Sequence, residues 1–442
     1  MTARLHILAI LSLVVFSAAQ ADDKDLQKRL NDEHAEGTDL WVYNDIESAR
    51  LIARAQNKPM FVTFRCVPCK DCKSFDAEVA SGSETIAKLA RQGFVSVRQV
   101  EMKNVDLTQF QFDHNLNWAA MFINADGTVY ARYGTQSADG PDAFNSIEGL
   151  KRTMERVLKL HENYPANKAE LAGKMAKKKP YKTALEMPGL PSGAAKLKQQ
   201  TTRKNCIHCH MIHDAENEYA QKSGKFTQDM LWRYPLPNNI GIAIDAKHGC
   251  KIKTVEGGFA DAGLKAGDEI SHVNGQAVTS IADIQWVLHN LPNTATMVEV
   301  KKVSWPTSAR GAPVYSTYAV ATQAGWKKTD ISWRGSMWTI SPRMRVWAPG
   351  LPNDRRKGLD IAEADGALEV KWINGGKPGG RAAFEGGLRQ GDIIVALDGK
   401  PVPRKNNQFQ LHLKLNYKVG DTVPLTVLRR GRRVNVVVEL VE

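Results

Sequence analysis

Two segments in the C-terminal half of the chain repeat one pattern, and this repetition restricts the possible folds more than any other feature. In the first copy, IGIAI is followed by FADAGLKAGDEISHVNGQAV and SIADIQWVLHNL. In the second copy, GLDIA is followed by RAAFEGGLRQGDIIVALDGKPV, NQFQLHLKLNY and a strand-rich end. Similarity of this length indicates a duplicated domain. We predict two small β-rich domains over residues 238–328 and 355–442, with a Trp-rich connector over 329–354.

The length and composition predict a folded, multidomain protein. With 442 residues, the chain is too long for one compact core. Its 43% hydrophobic and 24% charged residues exclude a largely disordered, fibrous or polytopic membrane protein. Much of the net charge of +13 comes from residues 165–205, which have few aromatic side chains. Because such charge runs are typical of linkers, we expect no nucleic-acid binding.

The first residues have the pattern of a secretory signal. Arg4 precedes an apolar run of about a dozen residues, and the small residues Ala19 and Ala21 follow. This run is shorter than the ~20 residues that a membrane-spanning helix needs. We therefore predict a signal peptide over residues 1–21, a periplasmic or otherwise exported mature chain, and no membrane span after cleavage. In an oxidising compartment, cysteines form disulfides, bind metals or carry covalent haem.

Residues 39–164 alternate between helical and strand patterns, which predicts an α/β domain with a mixed sheet. Asp126 and Gly127 separate two runs rich in β-branched and aromatic residues, which is typical of a hairpin. The segment FDAEVASGSETIAKLARQ predicts one helix. A closing helix follows Asp142, which we expect to be its N-cap.

The strand PMFVTF leads into CVPCKDCKSFD. A helix start beside a CxxC motif lowers the pKa of the first thiol and makes it a nucleophile. This arrangement resembles the thioredoxin family over about residues 39–164, which implies that Cys69 attacks and Cys72 resolves. Cys66 with Cys69 is the alternative pair. Trp118 stands near the position where the family has a cis-proline, so a Cu(I) or Zn(II) site, or a structural disulfide, remains an alternative.

The sequence CIHCH is the attachment motif of haem c. Cys206 and Cys209 lie three apart, which we expect to place them on one helical face, and they would form thioether bonds, while His210 would ligate the iron. We therefore expect residues 165–237 to combine a basic linker with a small α-helical, cytochrome-c-like segment. The alternative is a zinc site that uses Cys206, Cys209 and one nearby histidine, for which His208, His210 and His213 are the candidates.

The sixth ligand of such a haem is open. Met230 is the nearest sensible methionine, and Met187 and Met175 come next. His213 would instead give two histidine ligands. Each of these methionines is more often a packing residue than a ligand.

The two repeats resemble PDZ domains of the bacterial, HtrA-like arrangement. In such domains a glycine-hydrophobic loop donates backbone N–H groups to the C-terminal carboxylate of a peptide, which adds as a strand. The resemblance implies these peptide-binding residues: Ile240, Gly241, Ile242 and Ala243 in the first copy, and Gly358, Leu359, Asp360 and Ile361 in the second. Because the Asp360 carboxylate is unfavourable there, we expect the second copy to bind internal segments or to serve as a docking surface.

Two further features have simple interpretations. Cys250 is expected to be a small buried hydrophobic residue. The tryptophans around the connector are expected to be packing residues; they are Trp326, Trp333, Trp338 and Trp347.

The whole order of motifs resembles a family of exported bacterial thioredoxin/PDZ proteins, some of which carry selenocysteine in the redox motif. This resemblance implies a redox role. No Ser/His/Asp protease domain precedes the PDZ repeats, so they imply targeting and not proteolysis. We therefore predict an exported thiol–disulfide redox protein with covalent haem c, a redox partner protein and protein clients recruited through PDZ repeats. The alternative is a non-catalytic PDZ scaffold and sensor, in which the cysteine cluster is a metal site or a staple.

Overall fold

The computed structural model describes residues 24, 26–30, 32, 40–65, 73–81, 84–190, 197–198, 205–306, 312–359, 361–362 and 364–442. The predicted signal segment 1–21 lies outside these residues. In the described part of the chain, no helix is long and apolar enough to cross a membrane. The contacts divide the chain into unit 1, Met1–Ile212 with Trp232–Thr329, and unit 2, His213–Leu231 with Asp330–Glu442.

The first domain of unit 1 is a five-stranded mixed sheet with flanking helices. Its elements are β1 (Trp41–Tyr43), α1 (Ile46–Gln56), β2 (Met60–Arg65), α2 (Lys73–Ser81), α3 (Glu84–Gly93), β3 (Val95–Gln99), β4 (Trp118–Ile123), β5 (Val129–Tyr133) and α4 (Ile147–Glu162). The strand order is β1-β3-β2-β4-β5, with β1, β3 and β2 parallel and the last two strands antiparallel. This confirms the expected α/β domain with a mixed sheet.

Local sequence explains these elements, with two corrections. β2 is the central strand, and its apolar run PMFVTF is buried as expected for that position. The β4–β5 hairpin turns where expected, with Gly127 at a φ of +95°. However, α4 is capped by Ser146, whose side chain accepts a hydrogen bond from the Gly149 N–H, and not by Asp142. The single helix expected after the cysteines is divided into α2 and α3.

Helix α5 (His210–Lys222) follows in the chain; it starts in unit 1 and continues into unit 2. The elements after it in unit 1 form the first repeat. They are β6 (Ile242–Ile244), β7 (Ile252–Val255), α6 (Gly258–Asp261), β8 (Glu269–Val273), β9 (Gln276–Ala277), α7 (Ile281–Asn290), β10 (Met297–Ser304) and β11 (Val314–Ala321). The strands form a sheet of order β11-β10-β8-β9 and a separate β6–β7 ribbon. The described residues of the two units also contain five short 3-10 helices: Lys168–Lys174, Ala184–Glu186, Gln228–Leu231, Pro237–Ile240 and Gly335–Thr339.

Unit 2 contains the second repeat. Its elements are β12 (Val346–Trp347), α8 (Asn353–Arg356), β13 (Leu368–Glu369), β14 (Trp372–Ile373), α9 (Pro378–Glu385), β15 (Ile393–Leu397), β16 (Lys400–Pro401), α10 (Asn406–Asn416), β17 (Thr422–Arg429) and β18 (Arg432–Glu439). β13, β15, β17 and β18 form a sheet to which β16 adds, and β12 pairs with β14. Its core includes Met344, Val346 and Ala348, so the domain begins before residue 355 and takes in part of the expected connector.

Within unit 1, the start of α7 covers the outer edge of β5. The Arg132 N–H donates to Asp283 at 3.0 Å, and the Ser280 hydroxyl donates to the Arg132 carbonyl. Ser280 also caps α7 through the Asp283 N–H. The unpaired backbone groups of this edge strand are thereby satisfied by the neighbouring domain.

A buried ion pair joins the same two domains. The Lys174 ammonium donates to Asp283 at 2.6 Å and to the Tyr130 carbonyl at 2.6 Å, and both charged side chains are 1% exposed. Burial lowers the pKa of Lys174, although the Asp283 charge opposes this shift. The Arg132 guanidinium lies 3.7 Å from the ring centroid of Trp286 on α7. The repeat is therefore attached to the sheet through desolvated charges as well as apolar contacts.

We predict that Asp283→Ala destabilises unit 1 by about 3–5 kcal/mol, because Lys174 would be left as a buried charge without its counter-ion. Denaturant unfolding of the full mature chain measures this loss. The double variant Asp283→Ala/Lys174→Met should recover part of it, because the uncompensated charge is also removed. Equal unfolding midpoints for the wild type and Asp283→Ala would contradict the prediction.

Candidate functional site

The described residues bracket the predicted redox motif. β2 ends at Arg65, directly before Cys66, and α2 begins at Lys73, directly after Cys72. Cys66, Cys69 and Cys72 themselves lie outside the described residues. A strand therefore precedes the cysteine motif and a helix follows it, as predicted.

A buried carboxylate near the start of α2 connects the elements around this motif. Asp76 accepts hydrogen bonds from Arg65, from Arg98 at 2.9 and 3.1 Å, and from the indole N–H of Trp118 at 3.0 Å. All four side chains are buried. Trp118, near the expected cis-proline position, pairs with Arg65 in the register of β2 and β4. Asp76 thus fixes the strand before the motif, the helix after it and the facing strand.

A second carboxylate completes this charge network. Arg98 Nε lies 2.9 Å from Asp32 Oδ2, and the Tyr43 hydroxyl donates to the same oxygen at 3.3 Å. Burial alone would raise the pKa of Asp76, but the charges and hydrogen bonds of Arg98 and Arg65 hold it below its ordinary value. For Asp32, burial prevails over Arg98 and raises the pKa. The two arginines therefore favour the ionised form of Asp76.

The CIHCH segment lies against the end of β3. The Cys206 thiol lies 3.9 Å from the Val100 carbonyl, which it can reach as a weak donor. The Met102 N–H donates to the Ile207 carbonyl at 3.2 Å, and the Ile207 N–H donates to Glu101 Oε1 at 3.0 Å. These contacts attach the segment to the thioredoxin-like sheet.

The topology places the CIHCH segment beside the end of β2. β2 and β3 are parallel neighbours, with Phe64 paired to Gln99, so their carboxyl ends lie side by side. β2 continues into Cys66, and β3 continues into Val100, which Cys206 contacts. Adjacent strands are about 4.8 Å apart. Cys206 is therefore held next to the strand end that leads into the first motif.

Residues 206–210 contain the groups that covalent haem c needs, because two cysteine thiols are followed by a histidine imidazole. Cys206 and His210 are partly buried, and Cys209 is buried. The two cysteines precede α5, which begins at His210, so they do not share a helical face as expected. The His208 ring stacks on the His210 ring with centroids 5.9 Å apart. Among the described residues, no cluster of three or more His, Cys, Asp or Glu side chains is placed to hold a metal ion.

The candidates for a sixth ligand are distributed over both units. Met187 is buried and Met175 is 42% exposed, and both belong to unit 1. Met230 belongs to unit 2, in the 3-10 helix Gln228–Leu231. His213, also in unit 2, lies 2.9 Å from Glu216 through Nδ1. The identity of this ligand stays a prediction.

The predicted peptide loop of the first repeat lies at the start of β6. Ile240 ends a 3-10 helix, Gly241 has a φ of +78°, and Ile242 and Ala243 begin the strand. A β-carbon on Gly241 would lie 2.4 Å from the Glu256 carbonyl oxygen, so the close approach of the ribbon strands requires glycine here.

The thioredoxin-like domain also contacts this repeat near β6. Phe144 packs against the core of the repeat, and a β-carbon on Gly149 would lie 2.2 Å from the Ala246 carbonyl oxygen. The close packing at the end of β6 therefore depends on glycine in the first turn of α4.

The second predicted loop lies elsewhere in the fold. Gly358 and Leu359 form a turn after α8, Ile361 packs near Leu351, and Asp360 lies outside the described residues. The first strand of this repeat is β12, which pairs with β14 as β6 pairs with β7. Arg345, directly before β12, has a φ of +55° and thus takes the place of Gly241. Residues 344–347 therefore correspond in position to residues 240–243 of the first repeat. The GLDIA sequence lies in the longer segment that separates β12 from its partner strand.

The tryptophans of the connector have different surroundings. Trp326 packs on the core of the first repeat and donates to the Pro292 carbonyl at 2.9 Å. The Arg334 guanidinium lies 4.6 Å from the Trp333 ring centroid, in unit 2. Trp338 and Trp347 are 40% and 47% exposed, so packing does not account for all four residues. Cys250 is buried as expected, and burial raises the pKa of its thiol to about 11.

Sequence reasoning missed the charged residues around Asp76. Arg98 interrupts the apolar run FVSVRQV, and Arg65 ends an apolar strand that leads into the cysteine motif. A charged side chain within a strand that is otherwise buried needs a buried counter-charge. This signal could have identified Arg98, but Asp76 could be assigned to it only from the structure.

Three family models match parts of the chain. A thioredoxin-like model matches residues 41–125, and PDZ domain models match residues 253–302 and 377–440. A probable periplasmic serine endoprotease DegP-like from Pseudomonas savastanoi pv. phaseolicola is 26% identical over 235 residues, which cover 52% of this chain and 46% of that protein. The chain therefore spans about half the length of this relative.

The similar solved structures include two kinds of protein. The HtrA-type protease AlgW with a tripeptide is 22% identical, with 22% of this chain and 30% of that chain covered and a TM-score of 0.18. A disulphide isomerase from Xylella fastidiosa Temecula1 is 18% identical, with 30% and 92% covered and a TM-score of 0.18. From the family models and the fold, the chain contains a thioredoxin-like domain followed by two PDZ domains, with similarity to DegP-like proteins.

Proposed function

We propose that this chain is an exported thiol–disulfide redox protein that carries covalent haem c and recruits protein clients through its PDZ domains. The observation that carries this proposal is the contact of Cys206 with Val100, at the sheet edge where β2 leads into Cys66. Two cysteine motifs of different redox chemistry would then belong to one thioredoxin-like domain. Export is supported by the signal pattern at residues 1–21 and by similarity to a protein described as periplasmic.

The dithiol step would use the cysteines of the first motif. The Cys69 thiolate attacks one sulfur of a client disulfide, forms a mixed disulfide and releases the other client sulfur as a thiolate. Cys72 then attacks the Cys69 sulfur and releases the second client thiol. Two electrons pass to the client, and a Cys69–Cys72 disulfide remains, which the redox partner must reduce before the next turnover.

Arg65 and Asp76 would set the electrostatics of this step. Arg65 is covalently next to Cys66, and a nearby positive charge favours the thiolate form. Asp76 accepts hydrogen bonds from both Arg65 and Arg98 and therefore offsets much of their charge. The network would hold the strand before the motif while it limits the fall in thiol pKa.

Cys206 and Cys209 would hold the haem through thioether bonds, and His210 would ligate its iron. A haem bound there would supply one-electron exchange. The Val100 and Met102 backbone groups would keep the attachment segment at the sheet edge.

The PDZ domains would select clients by adding a client segment as a strand. Gly241 provides the loop conformation that this mode of recognition needs, at the start of β6. The first PDZ domain also packs on the thioredoxin-like sheet through Asp283 and Lys174. A client held there would remain attached to the domain that contains the redox motif.

The proposal predicts that the mature chain, expressed with haem-maturation machinery, has a covalent c-type visible spectrum and reduces insulin disulfides. Cys69→Ser should reduce insulin at the background rate, and Cys72→Ser should accumulate a mixed disulfide with the substrate. Cys206→Ser/Cys209→Ser should lose the covalent spectrum. Gel shifts, turbidity and spectra of the same preparations measure these results.

Cys250→Ser is the matched control, because its buried thiol with a raised pKa should take no part in exchange. A wild-type spectrum without haem would remove the cofactor from the proposal. Thiols that never cycle, in a chain that still binds its partners, would favour the non-catalytic scaffold.

A second prediction concerns Asp76→Asn. Loss of this negative charge leaves Arg65 and Arg98 less neutralised, so the thiols of the motif should have a lower pKa and react faster with iodoacetamide at about pH 6. Asp106→Asn, which lies in the same domain and contacts neither arginine, is the control, and circular dichroism checks that both variants fold. An alkylation rate in Asp76→Asn that matches the control would contradict this role.

A further inference from the structure

The second PDZ domain satisfies the outer edge of its own first strand. The carbonyls of Arg345 and Trp347 accept hydrogen bonds from the Asn374 and Lys371 N–H groups on the β14 side, at 3.1 and 2.9 Å. Backbone groups alternate in direction along an extended strand. The polar groups of Val346 and Ala348 therefore face away from β14, toward the edge at which a peptide strand would add.

Two side chains of α10 occupy that edge. The Gln410 amide donates to the Val346 carbonyl at 3.1 Å, and Asn406 Oδ1 accepts from the Ala348 N–H at 3.2 Å. Both side chains are 4% exposed. An added strand needs about 4.8 Å of separation from its neighbour and would use these same backbone groups. The direct contacts leave no place for it between β12 and α10.

A third residue on the same face of α10 holds the segment that precedes β12. Lys414 donates to the Ile340 carbonyl at 2.6 Å and to the Pro342 carbonyl at 3.0 Å. Residues 406, 410 and 414 are spaced four apart, so they form one line along the helix. Together, these three side chains attach the segment between Ile340 and Ala348 to helix α10.

The first PDZ domain differs at this point. Gln285 on α7 donates to the Tyr234 carbonyl at 2.8 Å and accepts from the Thr135 hydroxyl at 2.8 Å. Its amide is therefore engaged with residues outside β6. The loop glycine of a peptide-binding strand is also present only before β6, since Arg345 stands before β12.

We infer that α10 closes the second PDZ domain to strand addition through Asn406 and Gln410, so that the native chain binds peptide through no more than its first PDZ domain. This inference rests on the peptide recruitment in the proposed function and assigns that recruitment to one of the two repeats. Removal of the two side-chain amides is expected to open the second edge.

The test compares the full mature chain with Asn406→Ala/Gln410→Ala. Its matched control is Asn407→Ala/Gln408→Ala, which makes the same chemical change on the same helix, where Gln408 donates instead to Asp330. Hydrogen exchange by mass spectrometry follows residues 345–349, and calorimetry counts the bound copies of a short peptide with an apolar C-terminal residue and a free carboxylate. The same peptide with an amidated C-terminus shows whether binding depends on the carboxylate.

We expect amide exchange at Ala348 to become about five-fold faster in Asn406→Ala/Gln410→Ala, because one hydrogen bond is lost. This variant should bind one more peptide than the wild type, and the control should match the wild type in both measurements. An unchanged exchange rate would overturn the inference. The inference would also be overturned if the wild type bound two peptides. It would be overturned as well if the wild type bound one peptide and the variant exchanged faster but bound no additional peptide.

The proposed function can fail independently of this inference. If no peptide binds to any of the proteins, peptide recruitment is rejected, whereas faster exchange at Ala348 in the variant still supports closure by α10. If both variants unfold alike, Asn406→Leu and Gln410→Met give the same comparison with less change in volume, because neither new side chain can make these hydrogen bonds.

Discussion

The organisation of unit 1 depends on the contact between the edge of β5 and the start of α7. Asp283 accepts from the Arg132 backbone and pairs with the buried Lys174, while Ser280 binds the Arg132 carbonyl. A sheet edge, a helix N-terminus and a buried ammonium group thus satisfy one another. Neither domain could bury these groups without the partners that the other domain supplies, because the desolvation would then be uncompensated. The first PDZ domain is consequently a structural part of the thioredoxin-like unit as well as a recognition module.

The thioredoxin-like sheet concentrates chemistry at one edge. Arg65 and Asp76 surround the position from which the first cysteine motif departs, and Cys206 lies beside Val100 on the adjacent strand end. Parallel neighbouring strands make this possible because their carboxyl ends coincide. The buried ion network explains how a tryptophan can stand near the expected proline, since the Trp118 indole donates to Asp76.

The domain order, the mixed sheet, the hairpin at Gly127 and the loop at Gly241 could all be predicted from the sequence, because each has a local signal. Interactions between distant residues had none. The Arg98–Asp76 pair joins residues from different elements, and composition does not reveal such partners. The peptide-binding role of residues 358–361 stays a prediction, and the residue that directly precedes the first strand of the second repeat is Arg345, whose positive φ no local signal indicates. The cap at Ser146 likewise involves a distant residue, since the Tyr133 hydroxyl bonds to the Ser146 backbone.

The hydrogen bonds that Asn406 and Gln410 make to β12 have a consequence for solubility. A short strand with unpaired backbone groups is a site for intermolecular strand pairing, and β12 also carries the exposed Trp347 opposite the exposed Trp372. Because this edge of β12 is bonded to α10, its backbone groups are not free to pair with a strand from another molecule. The same two side chains would therefore also limit self-association of this domain.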